Sequence, residues 1–485
     1  MELTALLKQQ IKNRMNIDNP WWTLGCIDAD YKKMPSRLYI NLFYPLVKGM
    51  EVRRSVILMG PRRVGKTVLI YHSIQRLIED GVSPQQIIYV SVETPIYNQI
   101  SLEILFELAK EAVVKTDSKE TFYVFFDEIQ YLKDWEVHLK SLVDTYRNCK
   151  FVASGSAAAA LRKRSMESGA GRFTDFMLPP LTFNEFIHLK NYSSLIVPAE
   201  IEWKGYRMAS YSAIDMNRLN ELFLNYINYG GYPEVVFSEQ IQSNPGQYVR
   251  HDIIDKVLLR DLPSLYGITD VQELNTLFTV IAYHSGNEFS YENLSKESGV
   301  KKETIRKYIE YLEAAFLIRV IHKTNENAKR FQRATSFKIY LTNPSLRCAL
   351  FQPLQSTDEE MGNMVETTIF AQWIQRSNAQ VYYANWKNGR KQGEVDLVGL
   401  HVATQKPAWA VEIKWSNHYY EHPGDLRSLL EFLDNNDLPE AIVTSISKSG
   451  DRQQGEVRLL FIPAAIYAYM VGQNTFEKKQ QRLGL

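Results

Sequence analysis

The chain has 485 residues, 45% apolar and 23% charged, with a formal net charge of +1. At roughly 100–200 residues per domain this length predicts about three domains with cores of their own, and near-neutrality excludes a wholly basic nucleic-acid binder, so that any DNA surface has to be a local patch. The three cysteines, Cys26, Cys149 and Cys348, lie far apart without CxxC spacing, which argues against a disulfide framework or a zinc site and fits a reducing cytoplasm.

The start, "MELTALLKQQIKNRM", carries no apolar core of signal-peptide length. No later run approaches the roughly eighteen apolar residues of a membrane span. These two features predict a soluble, cytoplasmic protein with no membrane contact. Residues 1–50 read as mixed helix and loop, with "NPWW" a turn near 19–22. From about residue 50, short β-branched runs alternate with amphipathic stretches, the signature of a parallel α/β sheet. Strands are expected at 55–60, 87–93, 122–126 and 150–155, with helices near 66–80, 101–115 and 134–147. Past "MLPPLTFNEF" (177–186) the strand signals fade and helical periodicity takes over, interrupted by the tight turn of "NYGGYPEVV" (228–236). Residues 288–321 read as helix, Gly turn, helix, strand. Ile305, Tyr308, Ile309 and Leu312 are at helical spacing there, and Lys301, Lys302, Arg306 and Lys307 surround the start of the second helix. "DEEMGN" (358–363) looks like a polar joint before a last α/β segment. The expected division is 1–50 helical and loop segment, 51–190 parallel α/β core, 191–343 largely helical region, and 344–485 last α/β domain.

"GPRRVGKT" (60–67) matches GxxxxGK[ST] directly after an apolar strand and at the opening of an amphipathic helix, the context that phosphate binding requires. Gly60 and Gly65 let the backbone curl through Pro61, Arg62, Arg63 and Val64. The helix starting at Lys66, Thr67 and Val68 offers its positive end to an anion. Lys66 is placed for the β and γ phosphates of ATP, and the Thr67 hydroxyl for Mg2+. The strand "FYVFF" ends in Asp127-Glu128, where Asp127 would hold the Mg2+ water shell and Glu128 would deprotonate the attacking water. "FVASGSA" (151–157) ends another strand in hydroxyls, so Ser154 or Ser156 either senses the γ-phosphate or caps a helix.

A further constellation lies in "GEVDLVGLHVATQKPAWAVEIKWS" (393–416). On a strand, residues two apart share a face. Glu394 and Asp396 therefore point one way, as do Glu412 and Lys414, while Val395, Leu397, Val411, Ile413 and Trp415 pack opposite. Three carboxylates against one lysine leave negative charge unpaired, at a desolvation cost of several kcal/mol per ion, and a divalent cation would resolve the imbalance. Two other readings stay open, a solvent-exposed charged face and an inactive relic.

Taken in order and spacing, "GPRRVGKT", "FFDEIQ", "ASGSAAAALRKRS", "GAGRFTDFMLPPLTFNEF", "NYGGYPEVV", "LLRDLP" and "KIYLTNPSLRCAL" resemble the bacterial AAA-type P-loop ATPases that end in a PD-(D/E)xK-like domain. The resemblance implies catalytic roles for Asp396, Glu412 and Lys414, metal ligation by Asp396 and Glu412, and one more acid, Glu366, on the preceding helix. It also implies that Arg172 reaches nucleotide, within the chain or in a neighbouring subunit of a homo-oligomer, or else forms an ion pair that holds its loop. "SGSA" departs from the expected Thr-Gly-Ser at the Ser154 position. The middle of the chain resembles a winged helix, with Lys302–Phe316 as its recognition-like helix. Its wing, 318–340, carries Arg319, Lys323, Lys329, Arg330, Arg333 and Lys338 against a single acid, Glu326, a footprint for DNA phosphates or an ordinary solvated face. The function expected is that of an ATP-hydrolysing protein with a Mg2+-dependent nuclease-like domain acting on DNA. The alternative is an ATP-switched regulator whose nuclease-like domain is inactive.

Overall fold

Strands buried on both faces read as continuous apolar runs, and four of them with a partly exposed edge strand build the first sheet of the computed structural model. The model describes residues 3–113, 121–156, 171–324, 336–374, 380–388 and 391–483. The chain divides into two compact units, Met1–Pro179 with Gln480–Leu485, and Pro180–Lys479.

In the first unit, β1 (Ser55–Gly60), β2 (Ile87–Ser91), β3 (Phe122–Asp127), β4 (Cys149–Ser156) and β5 (Phe173–Met177) form one sheet in the order β2-β3-β4-β1-β5. Every neighbouring pair is parallel. Helices Lys66–Glu79, Leu102–Val113 and Trp135–Thr145 connect the strands, as the alternating pattern predicts. Phe106 meets Phe122 and Phe151 edge to face, with ring centroids 6.2 and 5.6 Å apart, and so fixes the second of these helices to the sheet. Because β1 and β3 flank β4, their carboxyl ends bring residues 60–67 and 127–128 to one edge, where open α/β sheets bind ligands. An exposed sheet edge needs covering, and residues 19–22 cover β2. The Asn19 side chain donates to the Tyr89 carbonyl at 2.9 Å and accepts the Tyr89 N–H at 2.6 Å, while the Trp21 and Trp22 indoles both donate to the Ile87 carbonyl.

The second unit departs from the helical expectation at its start. Residues 196–213 are a hairpin of β6 (Ile196–Trp203) and β7 (Tyr206–Ala213). Its turn puts Lys204 and Gly205 at φ 53° and 73°, the paired left-handed residues that two-residue hairpins require. Past the helices Met216–Tyr229 and Val271–Tyr283 come β8 (Glu288–Ser290), helices Tyr291–Ser298 and Lys302–Ala314, β9 (Ile318–Thr324) and β10 (Ser336–Leu341). Ile305, Tyr308, Ile309 and Leu312 are all buried, as their spacing predicts. Helix Met361–Ile374 leads into β11 (Val381–Asn388), β12 (Lys391–Leu400), β13 (Pro407–Glu412), β14 (Glu440–Ser445), β15 (Gly450–Gln454) and β16 (Val457–Pro463). All nine strands belong to one mixed sheet, ordered β15-β16-β14-β13-β12-β11-β9-β10-β8. β9 and β11 pair in parallel, so strands from either side of the expected 343/344 boundary share the sheet and lie in one compact unit.

Tyr226 sits in the core of this unit, 1% exposed, with its hydroxyl donating to the Leu181 carbonyl at 2.7 Å and accepting from the Gln372 amide at 3.0 Å. Tyr226→Phe keeps the packing, removes the side-chain donor to the buried Leu181 carbonyl and leaves the Gln372 amide only its bond to the Thr368 carbonyl, so it should lower stability by about 1–3 kcal/mol. A shift of the urea unfolding midpoint of the full chain measures this, and an unchanged midpoint would show that the hydroxyl is not needed.

Candidate functional site

The loop of residues 60–67 leaves β1 and enters helix Lys66–Glu79 through Gly65, which has φ 90°. A Cβ at Gly60 would lie 2.2 Å from the Leu178 carbonyl oxygen, so no side chain fits there. Val64 is fully buried, and its carbonyl is held by the buried guanidinium of Arg37, which also donates to the Pro179 carbonyl, at 2.9 and 2.8 Å. The Lys66 ammonium folds back along the loop and donates to the Gly60 and Pro61 carbonyls at 3.1 and 3.0 Å. Arg63 has φ 63°, and Pro61, Arg62 and Val68 complete the turn around the helix start.

Asp127 and Glu128 stand at the end of β3 within a layer of hydrogen bonds. Asp127, 2% exposed, accepts the Thr67 hydroxyl at 2.8 Å and the Tyr89 hydroxyl at 2.9 Å on Oδ2. Its Oδ1 accepts Ser154 Oγ and, at 3.2 Å, the Glu128 N–H. Burial, and then the Asp127 charge, push the Tyr89 hydroxyl far above its ordinary pKa, so it stays a donor. Glu128 takes φ 55° in the left-handed region, an uncommon conformation for a residue with a side chain. Its carboxylate accepts the Gln130 amide, whose oxygen in turn accepts the Ser156 N–H at 3.2 Å. Ser154 is thus placed against Asp127 and the Glu128 N–H, and among the described residues it caps no helix. Arg172 pairs with Asp144 at 2.7 Å, the ion-pair alternative left open by the sequence. Thr67 and Asp127 offer hard oxygens 2.8 Å apart beside the phosphate loop, a donor set that suits Mg2+. Tyr89 and Arg37 were not legible as site residues, because each acts from a distant segment on a group that the motif supplies.

In the second unit, β12 and β13 are antiparallel with Leu397 opposite Val411, which sets Asp396 beside Glu412. The Ile413 N–H donates to Asp396 Oδ2 at 2.8 Å, and Thr444 pins Lys414 by bonding to its N–H and its carbonyl at 2.7 and 2.9 Å. The Lys414 ammonium lies 2.7 Å from Glu412 Oε1 and 3.8 Å from Asp396 Oδ2. Glu366, on helix Met361–Ile374, lies near enough for its charge to act on Glu412 and Lys414. The structure therefore gathers Glu366, Asp396, Glu412 and Lys414.

The expected charge balance needs correction. Lys338 on β10, assigned by sequence to a basic wing, is 2% exposed and points into this cluster. Its ammonium lies 2.6 Å from Glu394, 2.9 Å from Glu366 and 3.9 Å from Asp396. Tyr340, two residues on, donates to Glu366 at 2.6 Å. Four carboxylates thus face two ammonium groups, where the sequence suggested three against one. The wing loses Lys338 as a phosphate contact, and Arg319 lies 3.9 Å from Glu313. Glu326, Lys329, Arg330 and Arg333 fall outside the described residues.

Burial, followed by the nearby Asp396 charge, holds the Glu412 carboxyl well above the usual carboxylate range. Burial raises Glu366 as well, against the opposing pull of Lys338. Burial alone would lower the Lys338 ammonium, but Glu366, Asp396 and Glu394 reverse this and raise it. Glu412 Oε2 is buried without a hydrogen-bond partner. Among the described residues, no three His, Cys, Asp or Glu side chains are gathered so as to hold one metal ion, and no helix is long and apolar enough to cross a membrane.

Residues 52–187 match the family model described as an AAA domain, and residues 220–358 match a domain of unknown function, DUF8612. The uncharacterized protein MJ1544 of Methanocaldococcus jannaschii is 26% identical over 340 residues, 68% of this chain and 70% of that protein. An uncharacterized protein of Haemophilus influenzae is 24% identical over 342 residues, 69% of this chain and 78% of that one. Among solved structures, the Orc1 protein of Aeropyrum pernix in complex with DNA aligns over 68% of this chain and 95% of its own, at 13% identity and a TM-score of 0.31. AMPPCP-bound DnaA from Aquifex aeolicus aligns over 61% and 92%, at 13% identity and a TM-score of 0.27. TM-scores this low do not establish a common fold over the aligned lengths. The family match and the loop geometry together make residues 52–187 an AAA-type P-loop ATPase domain.

Proposed function

We propose that the chain is an ATP-hydrolysing protein whose C-terminal α/β region is a Mg2+-dependent nuclease-like domain acting on DNA. The observation that carries the second half is the convergence of Asp396, Glu412 and Lys414, with Glu412 Oε2 buried and unpartnered. A buried carboxylate oxygen without a donor is costly, and a hard cation is the partner that suits it.

In the ATPase domain, Lys66 would leave the Gly60 and Pro61 carbonyls for the β and γ phosphates. Thr67 would hold Mg2+ and Asp127 its water shell, with Tyr89 and Ser154 fixing the carboxylate. Glu128, braced by Gln130, would take the proton of the attacking water. In the nuclease-like domain, Asp396 and Glu412 would hold the cation, with Glu366 behind them. A bound Mg2+ would polarise the phosphodiester and acidify a water. Lys414 would orient that water and offset charge growing on the phosphate oxygen. DNA would approach along the exposed Lys301, Lys302, Arg306 and Lys307 of a winged-helix arrangement formed by helices Tyr291–Ser298 and Lys302–Ala314 with β8, β9 and β10. These basic groups stand opposite the buried apolar face of their helix.

One observation favours a second reading. Lys338 already neutralises part of the acidic cluster, as expected of an ATP-switched DNA- or protein-binding regulator whose nuclease-like domain is inactive.

Lys66→Ala should abolish ATP binding. Glu128→Gln should keep binding and slow hydrolysis by about 10²-fold or more, the usual loss on removing a general base. Titration with a fluorescent ATP analogue and single-turnover phosphate release check both, and wild-type turnover by Glu128→Gln would remove Glu128 from the mechanism.

Asp396→Ala and Glu412→Ala should each eliminate Mg2+-dependent cleavage of DNA and leave ATP turnover within about two-fold, because the two sites belong to different compact units and share no partners. Lys414→Ala should bind Mn2+ as wild type does and still fail to cleave. The assay uses single-stranded, double-stranded and branched DNA with and without ATP. A wild-type protein that cuts none of them with Mg2+ or Mn2+ decides for the regulator.

A further inference from the structure

β10 pairs with β9 on one side and β8 on the other, with Lys338 opposite Ile321 and Glu288. Within this three-strand end of the sheet, Lys338 sends its side chain away from solvent into carboxylates of two other elements, Glu366 of helix Met361–Ile374 and Glu394 and Asp396 of β12. Its ammonium also lies 5.6 Å from the Tyr383 ring. Asp396 is shared almost evenly, 3.9 Å from Lys338 on Oδ1 and 3.8 Å from Lys414 on Oδ2. Lys414 is tied to the cluster by its own strand end. Lys338 comes from a part of the chain 58 residues before Asp396.

An ammonium and a divalent cation are alternative solutions to one electrostatic problem, the burial of several carboxylates together. In this structure the ammonium holds Glu366 and Glu394 and faces Asp396. Glu412 Oε2 remains unpartnered, so the ammonium satisfies the cluster incompletely. A cation bridging Asp396 and Glu412 would bring positive charge close to Lys338 in a buried setting, where like charges repel strongly.

We propose that Lys338 is a resident counter-cation of this cluster that competes with a divalent ion, so that the strand end formed by β8, β9 and β10 sets the metal affinity of the Asp396–Glu412 site. The inference rests on the cation-site reading given under Proposed function. It assigns to a residue of the wing region a role inside the acidic site.

Calorimetric titration of the full-length chain with Mn2+ alone tests it, comparing wild type with Lys338→Met, each with and without Asp396→Ala to isolate binding at this site. Lys338→Met should bind Mn2+ in the Asp396-dependent site at least about ten-fold more tightly than wild type, a change of the size that residues supporting metal ligands produce. Equal or weaker Asp396-dependent binding by Lys338→Met overturns the proposal and leaves the cation site standing. Absence of Asp396-dependent binding in both proteins removes the cation site itself, and this inference with it. Thermal unfolding with and without Mn2+ covers a variant that fails to fold. Lys338→Met that is unfolded alone and folds with Mn2+ supports the exchange of one cation for another, whereas a variant that Mn2+ does not rescue overturns it.

Discussion

A buried ammonium among carboxylates is the interaction on which the C-terminal half of this molecule depends. Lys338 ties β10 to helix Met361–Ile374 and to β12 through Glu366, Glu394 and Asp396. These elements are otherwise assembled by apolar packing and by strand pairing in one nine-stranded sheet. Removing one partner from a buried ion pair typically costs about 3–5 kcal/mol, because the remaining charge stays in a low-dielectric interior. The acids therefore constrain the strands as much as the strands position the acids. A stretch that looks like a separate DNA-binding wing is fastened into the site of the following α/β segment.

The two halves of the chain handle buried acids differently. Asp127 is satisfied by neutral donors, the hydroxyls of Thr67, Tyr89 and Ser154 and the Glu128 N–H. That arrangement keeps the carboxylate fixed and available beside a loop built for phosphate. The Asp396–Glu412 cluster is met by full positive charges, and one oxygen is left over. Hydroxyl donors suit a site where a nucleotide brings its own negative charge, whereas ammonium groups suit one where the protein supplies the excess.

Local signals carried most of the first unit. The apolar runs, the glycine loop and the Asp127-Glu128 strand end each lie within about ten consecutive residues, so spacing alone exposes them. The hairpin of residues 196–213 was readable too, in the alternation of "IEWKGYRM" and its Lys204-Gly205 turn, but Pro198 and the long helices nearby masked it. Lys338 was not readable from its surroundings. In "SFKIYL" a lysine between Phe337 and Ile339 looks like the outward face of a strand, and only the pairing of β10 between β9 and β8 turns that face toward Glu366. Tyr89 and Arg37 were hidden for the same reason, since their partners lie 38 and 27 residues away in sequence.

The central claim is that the C-terminal sheet holds a cation site bounded by Asp396 and Glu412. Anomalous scattering at the manganese edge, from crystals of the full chain grown in Mn2+, tests it most directly. The account predicts a peak within about 2.0–2.3 Å of oxygens of Asp396 and Glu412, as hard-ligand coordination requires, with the Lys338 ammonium displaced from Asp396. Well-ordered crystals with manganese density at other sites, none between these carboxylates, and Lys338 still seated among Glu366, Glu394 and Asp396 would contradict it.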